Sequence, residues 1–379
     1  MRLPPFAPVL LVMTSLARGA APPAAPALAP SARVDLEHRG VDYPVFRIPA
    51  LAVTRRGTLI AAYDGRPTLA DLPSQIAVLV RRSIDGGRTW QPRQVVRADT
   101  APAGFGDPSL IVDRVTGRIF LFYAAAMRQG FFGSATGNRA DDPEVLQADY
   151  SWSDDDGVSW HHRRITVAIK DPAWGGLFAS SGAGIQLQHG PHAGRLIQQY
   201  VVRFRGGNYG ASAWSDNHGD TWQMGGLVGP GIDENKTVEL ADGRLLLNSR
   251  ARGFRRSAVS ADGGLTWQGL RDEPALLDPG NNGAIVRYDP IAKPGNPRAH
   301  WLLFSNTEDS TRRVNLTIKL SCDDGRSWPV RQVIDPGPSA YSTLAILRDG
   351  AVGLLYERGD YEYITFIRFK LGDFQGRCG

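Results

Sequence analysis

The sequence predicts an all-β protein, a six-bladed β-propeller of four-stranded antiparallel blades, from three observations. First, an octapeptide of pattern Ser-x-Asp-x-Gly-x-Thr/Ser-Trp occurs five times, at 83–90, 153–160, 215–222, 260–267 and 321–328. Second, short turns that feed apolar strands alternate with the octapeptides, beginning at Gly57, Gly117, Gly194, Gly243, His300 and Gly350. Third, no helical period persists long enough for a crossover helix, which argues against a parallel sheet.

Each unit then reads strand, tight turn, strand, strand, octapeptide turn, strand. Val, Ile, Leu, Tyr and Phe fill the strands, and Asp, Asn and Gly fill the turns. In the octapeptide the Asp caps backbone N–H groups, the Gly takes a positive φ, and the Trp packs between strands. The third copy carries Asn217 in place of Asp, which accepts the same bonds. Six turns against five octapeptides place 363–370 as the last strand, with no turn needed beyond it. Pairing of the N-terminal and C-terminal strands in one blade closes the ring.

Ahead of the repeats, residues 1–20 read as a signal peptide: Arg2, an apolar run over 6–16, and small residues at 19–21. The run is short and contains prolines, so no membrane anchor is expected. Residues 21–33, rich in Pro and Ala, read as a stiff linker, and residues 34–379 as a single propeller domain. The protein is therefore expected to be secreted after cleavage, as a monomer.

The formal charge is +5, and cleavage near Ala20 would remove Arg2 and Arg18 to leave +3. That suits an acidic ligand, but the basic residues are scattered and no nucleic-acid partner is expected. No Cys/His spacing fits a zinc site, and neither a metal nor a cofactor is expected. In an exported chain, Cys322 and Cys378 either form a disulfide that pins the C-terminal segment or remain two thiols. The Asn-x-Thr matches at Asn235 and Asn315 read as coincidence, and Trp174 as the tryptophan that reaches a rim loop.

The octapeptide is the Asp box. With Phe46-Arg47-Ile48-Pro49 ahead of its first copy, the chain from 34 to 374 resembles the sialidase (exo-α-sialidase, neuraminidase) superfamily, in particular its secreted bacterial glycoside hydrolases. The resemblance implies three arginines that clamp the carboxylate of sialic acid: Arg47, Arg250 in Leu-Leu-Asn-Ser-Arg, and Arg313. It implies Asp71, after Gly65-Arg66-Pro67, as acid/base, and Tyr341 in Tyr-Ser-Thr-Leu as nucleophile with Glu234 as its partner. It further implies that Glu357 holds the first arginine, that Asp107 meets the 4-position and N-acetyl side of the sugar, and that Arg66 joins the substrate-binding set.

The residues support this reading on their own terms. Counting seven positions from a turn glycine reaches Asp64 from Gly57, Arg250 from Gly243 and Glu357 from Gly350, so charges distant in sequence share one end of the ring. A single arginine is usually a solvated surface group, but charged residues that end apolar strands at a common phase are not explained that way. A guanidinium matches a carboxylate bidentately and is permanently charged. A neutral tyrosine approaches an anionic sugar without repulsion, and needs a base because its pKa is about 10. Taken singly, Tyr341 reads as a packed aromatic, and Glu234 and Asp71 as turn residues.

The expected activity is a retaining exo-sialidase that releases terminal α-linked sialic acid from glycoproteins, glycolipids or oligosaccharides. Alternatives are a trans-sialidase, a hydrolase of another 2-keto acid sugar, or a non-catalytic Asp-box binding module.

Overall fold

The computed structural model describes residues 1, 33–293, 295–374 and 376–378. The expected signal peptide and linker lie outside these residues, save for Met1 and Arg33. Strands dominate; the only helical pieces among the described residues are Thr166–Ile169 and two 3-10 turns.

The sheets follow one another along the chain. The first joins Val45–Val53, Leu59–Arg66, Ala77–Ser83 and Gln94–Arg97 in sequence order, all antiparallel. The second joins Gly104–Val112, Ile119–Ala126, Gln147–Ser153 and His161–Arg164, with the short Gly182–Ala183 added in parallel on its inner edge. The third is built on Leu177–Ala179, Leu196–Phe204, Gly207–Ser215 and Gln223–Met224, and the fourth on Asn235–Glu239, Leu245–Ser249, Arg252–Ser260 and Gln268–Pro279.

The last sheet has seven strands because Val330–Ile346 serves two partners. Its first half, to Pro338, pairs with Val314–Ser321, and from Ser339 onward it pairs with Val352–Arg358. Tyr363–Phe369 lies third in that run, and the N-terminal strand Arg33–His38 takes the outer place beside it. The missing sixth Asp box therefore corresponds to a turn whose outer strand comes from the other end of the chain. Asp35 anchors this closure by accepting from Thr365 Oγ1 at 2.6 Å and Arg358 Nη2 at 2.7 Å.

The first strands of successive sheets pack on one another, and the Val45–Val53 strand touches both Gly104–Val112 and Val330–Ile346. The sheets thus surround a common centre as a β-propeller. Strands such as Leu59–Arg66 and Ile119–Ala126 are buried throughout. Both of their faces are covered by neighbouring sheets, so apolar residues run continuously instead of alternating. Aromatics fill the gaps between sheets: Trp222 meets Phe120 and Phe122 edge-on at 5.8 and 5.0 Å, and Trp90 of the first sheet meets Phe366 of the last at 5.3 Å.

All five octapeptides adopt one hydrogen-bonded turn. In the first, Gly87 N donates to Ser83 Oγ, while Asp85 accepts from Ser83 Oγ, Arg88 N, Thr89 N and Thr89 Oγ1. Burial would raise the Asp85 pKa, but these donors outweigh it and hold the carboxyl at about 2. Asn217 accepts from Ser215 Oγ and Thr221 N as the aspartates do, but donates through Nδ2 to Thr221 Oγ1, reversing the bond that an aspartate accepts there. Cys322 and Cys378 are joined, with Cα atoms 5.7 Å apart, and Phe374 stacks on Phe369 at 5.2 Å. Of the two readings of these cysteines, the disulfide holds.

Candidate active site

The N-terminal ends of the innermost strands converge, and around Tyr341 they bring together all three expected arginines. The Arg47, Arg250 and Arg313 guanidinium carbons lie 5.0, 6.0 and 5.3 Å from the centre of the Tyr341 ring. Tyr341 itself is 6% exposed. Its hydroxyl donates to Glu234 Oε2 at 2.5 Å and accepts from Arg250 Nη1 at 2.7 Å; that same nitrogen donates to Glu234 Oε2 at 2.7 Å.

Glu357, fully buried, organises the strand ends. One of its oxygens accepts from Arg47 Nε at 3.2 Å and from the Ile48 N–H at 2.8 Å; the other accepts from the Tyr341 N–H at 3.0 Å. Ile48 sits at φ +60°, a left-handed conformation costly for a β-branched residue. The turn it makes is what brings Arg47 and the Ile48 N–H onto one carboxylate. Arg47 Nη2 is buried and without a partner, which leaves a guanidinium edge free for an incoming anion.

Arg313 is held from behind, donating to Gly280 O and Tyr361 Oη, each at 2.9 Å. Its neighbour Arg312 instead pairs with Asp309 at the surface. The Tyr361 ring also lies 4.7 Å from the Arg47 guanidinium. The Gly280 turn is fixed by Asp278, which accepts from Gly280 N and Asn281 N and pairs with the fully buried Arg255.

Asp71, Arg66 and Asp107 form an adjoining acidic cluster. Arg66 is buried and donates to Asp64 Oδ2 through Nε and Nη2, and to Asp71 Oδ1 through Nη1 at 2.7 Å. The Asp71 side chain is 78% exposed, so its carboxyl is presented to solvent on an arginine tether. Asp107 has φ +63° and its N–H donates to Asp64 Oδ1 at 3.2 Å. Burial, then the neighbouring Asp64, push the Asp107 carboxyl well above its ordinary range. Burial likewise raises Asp64, to about 6, against the pull of Arg66.

The charge states suit proton transfer from tyrosine. Burial and the Glu234 carboxylate push Tyr341 well above 10, so it holds its proton at rest. Burial would raise Glu234, but Arg250, the Tyr341 hydroxyl and Lys236 outweigh it and hold the carboxyl low. A carboxylate ready to accept thus faces a phenol ready to donate, and a permanent cation sits beside the oxygen where charge would develop.

Sequence reasoning missed several residues here. Ser181 Oγ donates to the second Glu234 oxygen at 2.9 Å, Asn282 Nδ2 donates to Ser181 Oγ at 2.8 Å, and Lys236 Nζ donates to Asn282 Oδ1 at 2.9 Å. Burial pulls the Lys236 ammonium down to about 7, with Glu234 opposing. Asp64 carried a signal, its seven-residue spacing from Gly57; Ser181, Asn282 and Tyr361 carried none. Trp174 corrects an expectation: it is 8% exposed and packs in the core with Leu177, its backbone N–H donating to Asp171 O and its carbonyl accepting from Lys170 Nζ. Asn235 is fully buried in its strand, which leaves no room for a glycan.

Known proteins similar to this chain are named sialidases. The BNR repeat-like domain family matches residues 57–354. A sialidase of Micromonospora viridifaciens is 53% identical over 344 residues, covering 89% of this chain and 53% of that protein. A sialidase of Bacteroides fragilis (strain YCH46) is 32% identical, covering 90% of this chain and 65% of the relative. The chain therefore spans between half and two thirds of the length of these two relatives. Among solved structures, the Hadza microbial sialidase Hz136 superposes with a TM-score of 0.81 at 30% identity, covering 90% of this chain and 69% of that one.

Proposed function

This chain belongs to the sialidase family, and on that premise we propose that it is a retaining exo-sialidase. It acts on terminal α-linked sialic acid of glycoproteins, glycolipids or oligosaccharides through a covalent tyrosyl intermediate. The observation that carries the proposal is the Tyr341 hydroxyl held 2.5 Å from Glu234 with three arginines around its ring.

In this reading Arg47, Arg250 and Arg313 grip the sugar carboxylate, which fixes the anomeric carbon over Tyr341. Tyr341 Oη attacks that carbon as its proton passes to Glu234, and Arg250 stabilises the developing phenolate. Asp71 protonates the departing glycosidic oxygen, then takes a proton from the water that releases the sugar; Glu234 returns the first proton to Tyr341. Tyrosine-nucleophile sialidases are a known exception to the two-carboxylate rule for glycosidases. Asp107 and Arg66 line the adjoining pocket for the rest of the sugar. We read the architecture as six blades, each built on four strands, with the long Val330–Ile346 strand divided at Ser339 between two of them; the six turns, five of them opened by glycine, support this count. The proposed setting is extracellular, after loss of residues 1–20, without a cofactor.

The test is turnover of a fluorogenic α-sialoside combined with trapping by 2,3-difluorosialic acid. Wild type should turn over, and mass spectrometry should place the trapped sugar on the peptide containing Tyr341. Equal turnover by Tyr341→Phe, or a label on another peptide, would remove tyrosine from the nucleophile role.

A further inference from the structure

The C-terminal ends of the same innermost strands enclose a second space, a cavity of about 640 Å³, within the about 300–1,000 Å³ typical of small-molecule sites. Its walls are apolar, with Leu51, Ile111, Val238, Ile285 and Leu344 contributed by different sheets. Its charged lining is lopsided: Arg55, Arg114, Arg287, Arg298 and Arg348 face only two carboxylates, Glu239 and Asp289. Glu239 is already engaged, since its two oxygens accept from the Gln188 and His189 N–H groups at 2.8 and 2.9 Å. Among the described residues, none of the five arginines lies within ion-pair distance of a carboxylate.

Two features make this more than a patch of solvated cations. Arg348, Arg55 and Arg114 occupy the turns after the innermost strands of three successive blades, and the first two are linked head to tail. Arg348 donates to Arg55 O, and Arg55 Nη1 donates to Val115 O at 2.8 Å, one residue past Arg114. The Arg348 side chain passes 2.7 Å from where a Cβ on Gly57 would stand, and Gly57, at φ +91°, leaves it room to cross onto the next blade. Facing this arc is Arg287, 6% exposed, with its Nε buried and unpartnered; it donates to the Leu240 and Ala292 carbonyls, and Glu239, Asp324 and Asp289 lie near it without pairing. A buried permanent cation with no directly paired counter-ion is costly.

The geometry points to this cavity as a binding site for an anionic amphiphile, a carboxylate or sulfate on a hydrocarbon body. The anion would meet Arg287 and the arginine arc, and the hydrocarbon would lie along the apolar wall. This site is separate from the tyrosine cluster and does not depend on the reading given to it.

Calorimetric titration of the full chain with octanoate, 1-octanol and acetate tests it. Octanoate is expected to saturate one site per chain, with 1-octanol at least tenfold weaker for lack of charge and acetate at least a hundredfold weaker for lack of a tail. Arg287→Met and the exposed Arg114→Glu should each weaken octanoate at least tenfold, whereas Arg250→Met should leave it unchanged. Circular dichroism identifies any variant that has not folded, and Arg114→Glu, a surface change, keeps the test decisive if Arg287→Met fails. Absence of saturable octanoate binding overturns the proposal. So does acetate binding as tightly as octanoate, or loss of binding in Arg250→Met, which would place the ligand at the tyrosine cluster.

Discussion

The two ends of the central channel are made by the same strands but use charge in opposite ways. At the N-terminal ends most of the arginines are matched by a carboxylate: Arg47 by Glu357, Arg66 by Asp64, Arg250 by Glu234. At the C-terminal ends five arginines surround apolar walls without a paired carboxylate. The lesson is that a propeller sets a residue's height along the axis by its place in the strand, and each end then follows its own electrostatic logic. A paired end can hold several ions rigidly with one donor group free, as Arg47 Nη2 is; an unpaired end is suited to take up a counter-ion.

The most severe break of this contrast is at the paired end. Tyr341→Phe should lower kcat for an α-sialoside further than Glu234→Gln does, and loss of Glu234 as a base should itself cost about 10²–10⁴-fold. Steady-state kinetics measures both; a Glu234→Gln enzyme within a few-fold of wild type would show that the 2.5 Å contact is not used for proton transfer.

Next comes the scaffold beneath it. Glu357→Gln leaves Arg47 buried beside a neutral partner, and breaking a buried pair costs about 3–5 kcal/mol. Urea unfolding should register a loss of that order together with a fall in kcat/KM. Unchanged stability would mean that Glu357 does not organise the strand ends.

A smaller effect separates paired from relayed charge. Lys236 has a folded-state pKa of about 7 against about 10.4 in an unfolded chain. Between those values the unfolded chain binds a proton that the folded one does not, so this group's contribution makes stability fall as pH falls from about 10 to about 7, then level off. Lys236→Met removes that term. The stability of the variant relative to wild type should therefore rise from pH 9 to pH 7, and a constant difference would place the Lys236 pKa near its ordinary value.

The smallest change is expected from the unpaired end. Arg114→Glu should leave α-sialoside kcat/KM within about twofold, as for a surface substitution remote from the chemistry. A larger loss would couple the two ends.

Much of the paired end was legible because repetition supplies a ruler. The turn glycines fix the phase of each strand, and Asp64, Arg250 and Glu357 fall at the same count from Gly57, Gly243 and Gly350. The Asp boxes were equally readable, because their bonds are local in sequence. What could not be read were contacts between sheets: Asn282 reaches Ser181 and Arg313 reaches Tyr361 across 101 and 48 residues, and no local pattern encodes either approach. The arginine arc was hidden for a different reason. Arginine in a turn is ordinary, and only the ring shows that Arg348 lies across the next turn. Trp174 misled because its burial rests on packing against residues of other strands and on Lys170 donating to its carbonyl, which no local pattern encodes.

The seam at Arg33–His38 and Tyr363–Phe369 has a consequence for how the molecule is made. The strand that leaves the ribosome first must wait for a neighbour synthesised more than three hundred residues later, with Asp35 lacking both its donors in the interim. Nascent chains stalled before residue 363 should remain open toroids that proteases cut readily. Resistance should arrive abruptly, once that closing strand emerges.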